Sequence, residues 1–148
     1  MKALRQAVLA TATALLLAAP ASTVSHAHPS LAEAAAVKSA PAQIVVTPTG
    51  YALYVFAADR PNKSTCYKTC AKYWPPLLVA KGTQPAATVP GVPGTFGVTV
   101  RTDGSRQLTY DHAPLYTFLL DKKPGDTKGQ GVFGFGGSWW IVAAGGGK

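Results

Sequence analysis

Few side chains in this 148-residue chain carry catalytic or metal-binding chemistry: two cysteines, three histidines and six acidic residues in all. Cys66 and Cys70 stand in a Cys-x-x-x-Cys arrangement. One helical turn would bring their Cα atoms to about 6 Å, inside bridging reach. Thioredoxin-type redox pairs use Cys-x-x-Cys in a strand–helix setting and covalent haem needs Cys-x-x-Cys-His. Neither occurs, so a structural disulfide pinning one local turn is expected. Two cysteines are too few for structural zinc. A Ser/His/Asp relay would have to use His112, and no Gly-x-Ser-x-Gly elbow accompanies it. Asp59 and Asp121 each sit where an aromatic strand pattern gives way to a loop, a position from which a carboxylate caps backbone N–H groups. Cation binding with Asp126 is the alternative, but Asp121 to Gln130 lacks the alternating oxygen ligands of a calcium loop. No phosphate-cradling glycine motif opens a helix. The inventory points away from an enzyme and calls for no cofactor.

One metal idea follows from the leader. Lys2 and Arg5 precede the apolar stretch Ala7 to Ala19, and Ser25-His26-Ala27 offers a small-x-small cleavage site, with Pro20-Ala21 a second. This is the pattern of a secretory signal peptide over residues 1–27, too short for a transmembrane helix. Cleavage after Ala27 would leave His28 at the N-terminus, where its amine and imidazole chelate copper, with His112 as a third nitrogen. The plainer expectation for both is a leader-end histidine and an exposed turn histidine. No Cys lies near either cleavage site, so no lipid anchor is expected. No other apolar run would span a bilayer. Export, secreted or periplasmic, is also what makes a disulfide the expected state of the cysteine pair.

About 120 residues remain after the leader, enough for one small core. The full chain carries a formal net charge of +8. Its basic residues, Lys63, Lys68, Lys72, Lys81, Arg101, Arg106, Lys122, Lys123 and Lys128, scatter through loops. They read as a solvated surface, with attraction to an anionic envelope surface or an envelope protein as the functional counterpart. Nucleic acid is disfavoured by export and by the absence of a recognised module.

The elements that position these residues are legible because a motif occurs twice. Leu53-Tyr54-Val55-Phe56-Ala57-Ala58-Asp59 returns as Leu115-Tyr116-Thr117-Phe118-Leu119-Leu120-Asp121. Each copy runs through a loop into a tryptophan: Trp74-Pro75-Pro76-Leu77 in the first, Trp139-Trp140-Ile141-Val142 in the second. Such duplication predicts two related halves packed on each other. Strand alternation puts Tyr54 and Phe56 on one face and Val55 on the other, and Tyr116 and Phe118 likewise, as core aromatics with their hydroxyls satisfied. Residues 28–43 read as a flexible extension. Strands are expected over Ile44–Thr47, Tyr51–Phe56, Leu115–Leu119 and Ser138–Ala143, with a helix over Cys66–Tyr73 stopped by Pro75-Pro76. A hairpin is expected from Phe96–Thr102 and Arg106–Tyr110 around Asp103-Gly104-Ser105. Lys122 to Gly137, rich in glycine and carrying Phe133 and Phe135, reads as the most mobile loop and the binding surface. Residues 144–148 read as a disordered tail.

Gly50 to Val79, with Leu-Tyr-x-Phe-x-x-Asp, Ser64-Thr65-Cys66-x-x-x-Cys70-Ala71 and Trp74-Pro75-Pro76-Leu77, resembles the bacterial "secreted repeat of unknown function" family, whose members are also described as predicted lipoproteins with a Tyr-x-aromatic-x-x-Asp motif. The second half resembles the paired repeat through Asp103-Gly104, Gln107-Leu108-Thr109-Tyr110, Pro114-Leu115-Tyr116 and Pro124-Gly125-Asp126-Thr127-x-Gly129-Gln130-Gly131. The resemblance covers about residues 44–143, as repeats at about 44–80 and 96–143. It implies a small exported domain of unassigned function, supplies no catalytic residues, and departs from lipoprotein members in lacking a lipid-carrying Cys. The expected molecule is a mainly β single domain of antiparallel strands in two related halves, with one short disulfide-pinned helix. Its expected role is a non-enzymatic binding or envelope-associated module. A redox or electron-transfer accessory, or a copper-binding protein, is the alternative.

Overall fold

A computed structural model describes residues 38–39 and 43–144. The signal-peptide segment, His28 and the stretch 145–148 lie outside the described residues. In chain order the elements are β1 (Lys38–Ser39), β2 (Val45–Val46), β3 (Tyr54–Phe56), α1 (Thr69–Tyr73), β4 (Phe96–Val100), β5 (Arg106–Tyr110), β6 (Ala113–Pro114), β7 (Phe133–Gly134) and β8 (Gly137–Ile141). They form a β1–β2 ribbon and two three-stranded antiparallel sheets, ordered β3-β8-β7 and β4-β5-β6. The fold is mainly β with one five-residue helix. Lys38–Ser39 pairs with Val45–Val46, so strand pairing reaches into the stretch read as an extension.

Alternation along the motif builds two cores at once. Leu53 and Leu115 enter an aliphatic cluster with Val45, Leu77, Leu108 and Val142. Tyr54, Phe56, Tyr116 and Phe118 enter an aromatic cluster with Trp74, Trp139 and both cysteines. Odd and even positions point to opposite faces of an extended segment, so one motif supplies both clusters. The copies then pair with each other: Tyr54 N–H donates to the Tyr116 carbonyl at 2.9 Å and Tyr116 N–H to the Tyr54 carbonyl at 2.9 Å. This reciprocal bridge marks a pseudo-two-fold axis. A second equivalence agrees with it, since Ala57 N–H donates to Ser138 O and Leu119 N–H to Tyr73 O.

The hairpin around Asp103-Gly104-Ser105 forms, with Val100 opposite Arg106. Asp103 Oδ1 accepts from Ser105 N at 3.0 Å, and Gly104 takes φ 81° in the turn. Several expected elements are shorter than predicted, three of them for visible reasons. The helix begins at Thr69 because Lys68 has φ 53°, outside the helical region, so Cys66 lies before it. Leu115–Phe118 is extended but forms no continuous ladder: Leu115 donates to Leu108, Tyr116 to Tyr54 and Thr117 to Pro75. Ile44–Thr47 contributes only Val45–Val46 as strand.

The glycine-rich stretch before Trp139 is a correction. Phe133–Gly134 and Gly137–Ser138 form a tight hairpin, with Phe133 opposite Ser138 and Gly134 opposite Gly137. The two loop residues, Phe135 at φ 57° and Gly136 at φ 90°, both have positive φ, as a type I′ turn requires. Other glycines there serve packing. A methyl group at Gly129 would lie 2.7 Å from a Tyr54 ring carbon and 2.8 Å from the Trp74 indole. One at Gly137 would lie 2.9 Å from the Phe56 ring.

Candidate functional site

The repeated motif assembles one buried site across the axis. Tyr54 and Tyr116 both have 0 % exposure. The Tyr54 hydroxyl donates to Asp121 Oδ2 at 2.7 Å, and the Tyr116 hydroxyl donates to Asp59 Oδ2 at 2.6 Å. Each tyrosine therefore reaches the carboxylate of the other copy. The second oxygen of each carboxylate holds its own loop. Asp59 Oδ1 accepts from Thr65 N and Oγ1 at 2.7 Å each, and Asp121 Oδ1 accepts from Lys128 N at 2.9 Å. The hydroxyls have partners from those loops too: Ser64 Oγ lies 2.7 Å from Tyr116 Oη, and Gly129 N donates to Tyr54 Oη at 3.2 Å. A carboxylate five residues after the motif tyrosine thus caps its loop, as the sequence suggests, and also clamps the partner repeat.

Burial sets the electrostatics. Desolvation raises both aspartate pKa values above the ordinary carboxylate value, against the opposing pull of the hydrogen bonds from Tyr116 and Thr65 on Asp59, and from Tyr54 and Lys128 on Asp121. Desolvation, reinforced by the adjacent carboxylate, pushes the Tyr54 and Tyr116 phenols well above their usual range, so both stay protonated at neutral pH. Repeat two also reaches into repeat one with a cation. Arg101 is only 4 % exposed, which corrects its assignment to the solvated loop surface. Its guanidinium donates to Ser64 Oγ at 2.8 Å, Gln107 Oε1 at 2.6 Å and the Cys66 carbonyl at 2.7 Å, and it stands over the Tyr67 ring at 4.3 Å. A turn-flanking arginine gives no sequence sign of this role; only the approach of the Ser64–Cys66 loop creates it.

Four rings form a continuous stack: Phe56 on Trp139 at 4.1 Å, Trp139 on Trp74 at 3.9 Å and Trp74 on Phe118 at 4.0 Å between centroids. Tyr54 meets Trp74 edge-on at 5.4 Å, and Tyr116 meets Trp139 edge-on at 5.1 Å. Exchanging the two halves maps this arrangement onto itself. The Cys66–Cys70 disulfide, with Cα atoms 5.2 Å apart, is buried in the same cluster. A model described as a secreted repeat of unknown function matches the chain twice, over residues 35–78 and 97–143. The chain belongs to the secreted-repeat family. No curated protein and no solved structure matches it. In this secreted repeat the Tyr-x-Phe-x-x-Asp motif is the device that joins two repeats: tyrosine to aspartate across the axis, phenylalanine to tryptophan in the stack.

The remaining candidates lie elsewhere on the secreted repeat. His112 and Asp111 form the two-residue turn between β5 and β6, with φ 69° and 45°. They line a shallow cleft of about 160 Å³ with Phe56, Asp59 and Arg60. His112 Nδ1 lies 3.1 Å from Asn62 Nδ2. Among the described residues no group of three or more His, Cys, Asp or Glu side chains converges on a metal position. Phe133 and Phe135 take no part in the motif hydrogen bonds and lie on the β7–β8 hairpin, at 76 % and 49 % exposure. The Phe135 ring lies 6.0 Å from the exposed Tyr73 ring between centroids, and Leu119 N–H donates to Tyr73 O. Trp140 points outward while Trp139 points in, as alternation along β8 demands. No helix among the described residues is long and apolar enough to cross a membrane.

Proposed function

We propose that this secreted repeat is a non-enzymatic, envelope-associated binding module, secreted or periplasmic, whose contact face is the β7–β8 hairpin and whose counterpart is an anionic surface. The observation that carries this is Phe135. A bulky aromatic occupies the left-handed position of a type I′ turn, where Asn is favoured, and its ring stays half exposed. Strain of this kind persists where the side chain is used. Its ring meets exposed Tyr73; Leu120, Phe133 and Trp140 are exposed too, and Lys72, Lys122 and Lys123 follow or precede these residues in the chain. Aromatic rings with lysines beside them suit a headgroup layer, where each lysine contributes about 1 kcal/mol. The non-enzymatic reading is supported by the motif carboxylates, whose four oxygens are all engaged in holding the two repeats.

Cosedimentation of the mature protein tests this, with anionic vesicles, neutral vesicles and a soluble acidic polymer as separate arms. Binding to anionic vesicles that weakens with salt is expected. Binding to the polymer alone would move the counterpart from lipid to envelope polymer. Replacing Phe133 with Ser and Phe135 with Asn should lower affinity on the order of 10–100-fold, as two apolar rings leave the interface. The Phe135→Asn change by itself should leave the fold intact or stabilise it, because Asn relieves the turn. Equal affinity of that double variant and the parent would place the contact face elsewhere.

A further inference from the structure

The aromatic cluster has a property that core packing alone does not require. Trp74 and Trp139 are parallel within 1° at 3.9 Å, so an electron vacancy on one indole is shared with the other. Each indole touches one buried tyrosine edge-on. Each of those phenols donates a hydrogen bond to a carboxylate, at 2.7 Å for Tyr54 and 2.6 Å for Tyr116. A phenol gives up an electron readily only when its proton can leave at the same moment, and a hydrogen-bonded carboxylate is where it goes. The Trp139 indole N–H, by contrast, has no acceptor among the described residues. An indole radical cation there has nowhere to lose its proton, so the vacancy stays mobile until it meets a tyrosine. Each buried tryptophan also has an exposed aromatic beside it in the chain, Tyr73 before Trp74 and Trp140 after Trp139.

We propose that the domain is a one-electron relay: an oxidising equivalent arriving at exposed Trp140 or Tyr73 passes into the Trp139–Trp74 pair and comes to rest as a neutral tyrosyl radical on Tyr116 or Tyr54. The external oxidant is a strong one-electron acceptor, such as a high-valent metal–oxo centre or an oxygen-derived radical, and it gains one electron. The phenol loses that electron, its O–H bond breaks, and the proton forms an O–H bond on Asp59 or Asp121. The pair goes from phenol plus carboxylate to phenoxyl radical plus carboxylic acid. Burial raises the proton affinity of both carboxylates, which favours the transfer. The pseudo-two-fold axis supplies two related resting places for one shared indole pair. This relay shares exposed Tyr73 and Trp140 with the proposed contact face but needs no bound envelope.

Flash photo-oxidation of the disulfide-bonded mature protein by a ruthenium–polypyridyl complex with a sacrificial acceptor tests the relay, read by transient absorption and by electron paramagnetic resonance. Expected is an indole radical that decays into a tyrosyl radical at a rate independent of protein concentration. Combining Tyr54→Phe with Tyr116→Phe keeps both rings and should abolish that conversion. Asp59→Asn with Asp121→Asn should lengthen the indole radical's lifetime roughly tenfold, the scale of losing a charge-assisted partner. Trp140→Ser, at an exposed site, should slow formation of the buried radical without affecting the fold. A tyrosyl yield unchanged in the double Tyr→Phe variant would place the radical on a tyrosine outside the motif, such as Tyr51, Tyr67 or Tyr73, and overturn the proposal. So would an indole radical whose decay depends on protein concentration. Should the Asn pair fail to fold, the Tyr→Phe pair decides.

Discussion

Asp59 and Asp121 show how one residue type serves two purposes at once in this fold: each caps a loop and receives a tyrosine from the other repeat, Asp121 buried and Asp59 half-buried. Asp103 and Asp126 stand in contrast. Ser105 hydrogen bonds lower Asp103, and the Lys122 N–H lowers Asp126, with both carboxylates near the solvent. A carboxyl-carbon NMR titration should therefore find Asp59 and Asp121 titrating above Asp103 and Asp126. The stability consequence has opposite signs. For Asp59 and Asp121 the folded value lies above the unfolded one, so the folded state binds more protons and their contribution falls as pH rises through the carboxylate range. For Asp103 and Asp126 the folded value lies below, and their contribution is lost as pH falls through it. Replacing Asp103 and Asp126 with Asn should make stability fall more steeply, or rise less, with rising pH in chemical-denaturation curves. The opposite change would show that these two carboxyls are not lowered in the folded state.

The stretch between Asp121 and Trp139 decides between loop and element. Its glycines suggest mobility, yet Gly129 and Gly137 are there because the faces of Tyr54, Trp74 and Phe56 leave no room for a Cβ. Gly129→Ala should cost about 1–3 kcal/mol by overpacking a rigid aromatic cluster. It should also disturb the bond from Gly129 N–H to Tyr54, visible as a changed Tyr54 ring environment in NMR spectra. A neutral outcome would mean that the stack yields easily. Gly125→Ala, at φ 84° but with open space around it, tests backbone strain alone. The first repeat stiffens its equivalent stretch differently, through the Cys66–Cys70 bridge. That closed loop is short, so reduction should remove only about 2 kcal/mol. Native protein should show no thiol reactive to alkylation before reduction.

At the scale of the molecule, neither half is complete. Tyr54 finds its carboxylate on Asp121, and Trp74 lies between Trp139 and Phe118, both from the second repeat. Residues 38–80 and 96–144 expressed separately should be unfolded by circular dichroism. Mixing them should restore the fold, because the reciprocal Tyr54–Tyr116 bridge and the ring stack form between the two pieces. A first half that folds alone as a monomer would contradict the shared core. Self-association of one half into a symmetric pair would support it, since the interface is built from equivalent residues.

The sequence by itself determined the duplication, the mainly β character, the disulfide and the burial of the motif aromatics. Period-two alternation and a repeated Leu-Tyr-x-Phe pattern are local signals, and export settles the state of two lone cysteines. It did not reveal that the two copies of the motif exchange partners. Tyr54 and Asp121 are distant in sequence, and each has a plausible partner nearer by, so local spacing favours pairing within a copy. Only the antiparallel meeting of Tyr54 with Tyr116 carries each hydroxyl past its own aspartate to the other. For Arg101 the sequence indicates surface, because a turn-flanking arginine is normally solvated, and the Ser64–Cys66 loop that buries it arrives from elsewhere in the chain. Phe135 was legible as an exposed aromatic but not as the apex of a tight turn, because a left-handed backbone at a phenylalanine has no sequence signature. Tertiary structure decided these points because each depends on which segments meet across the axis.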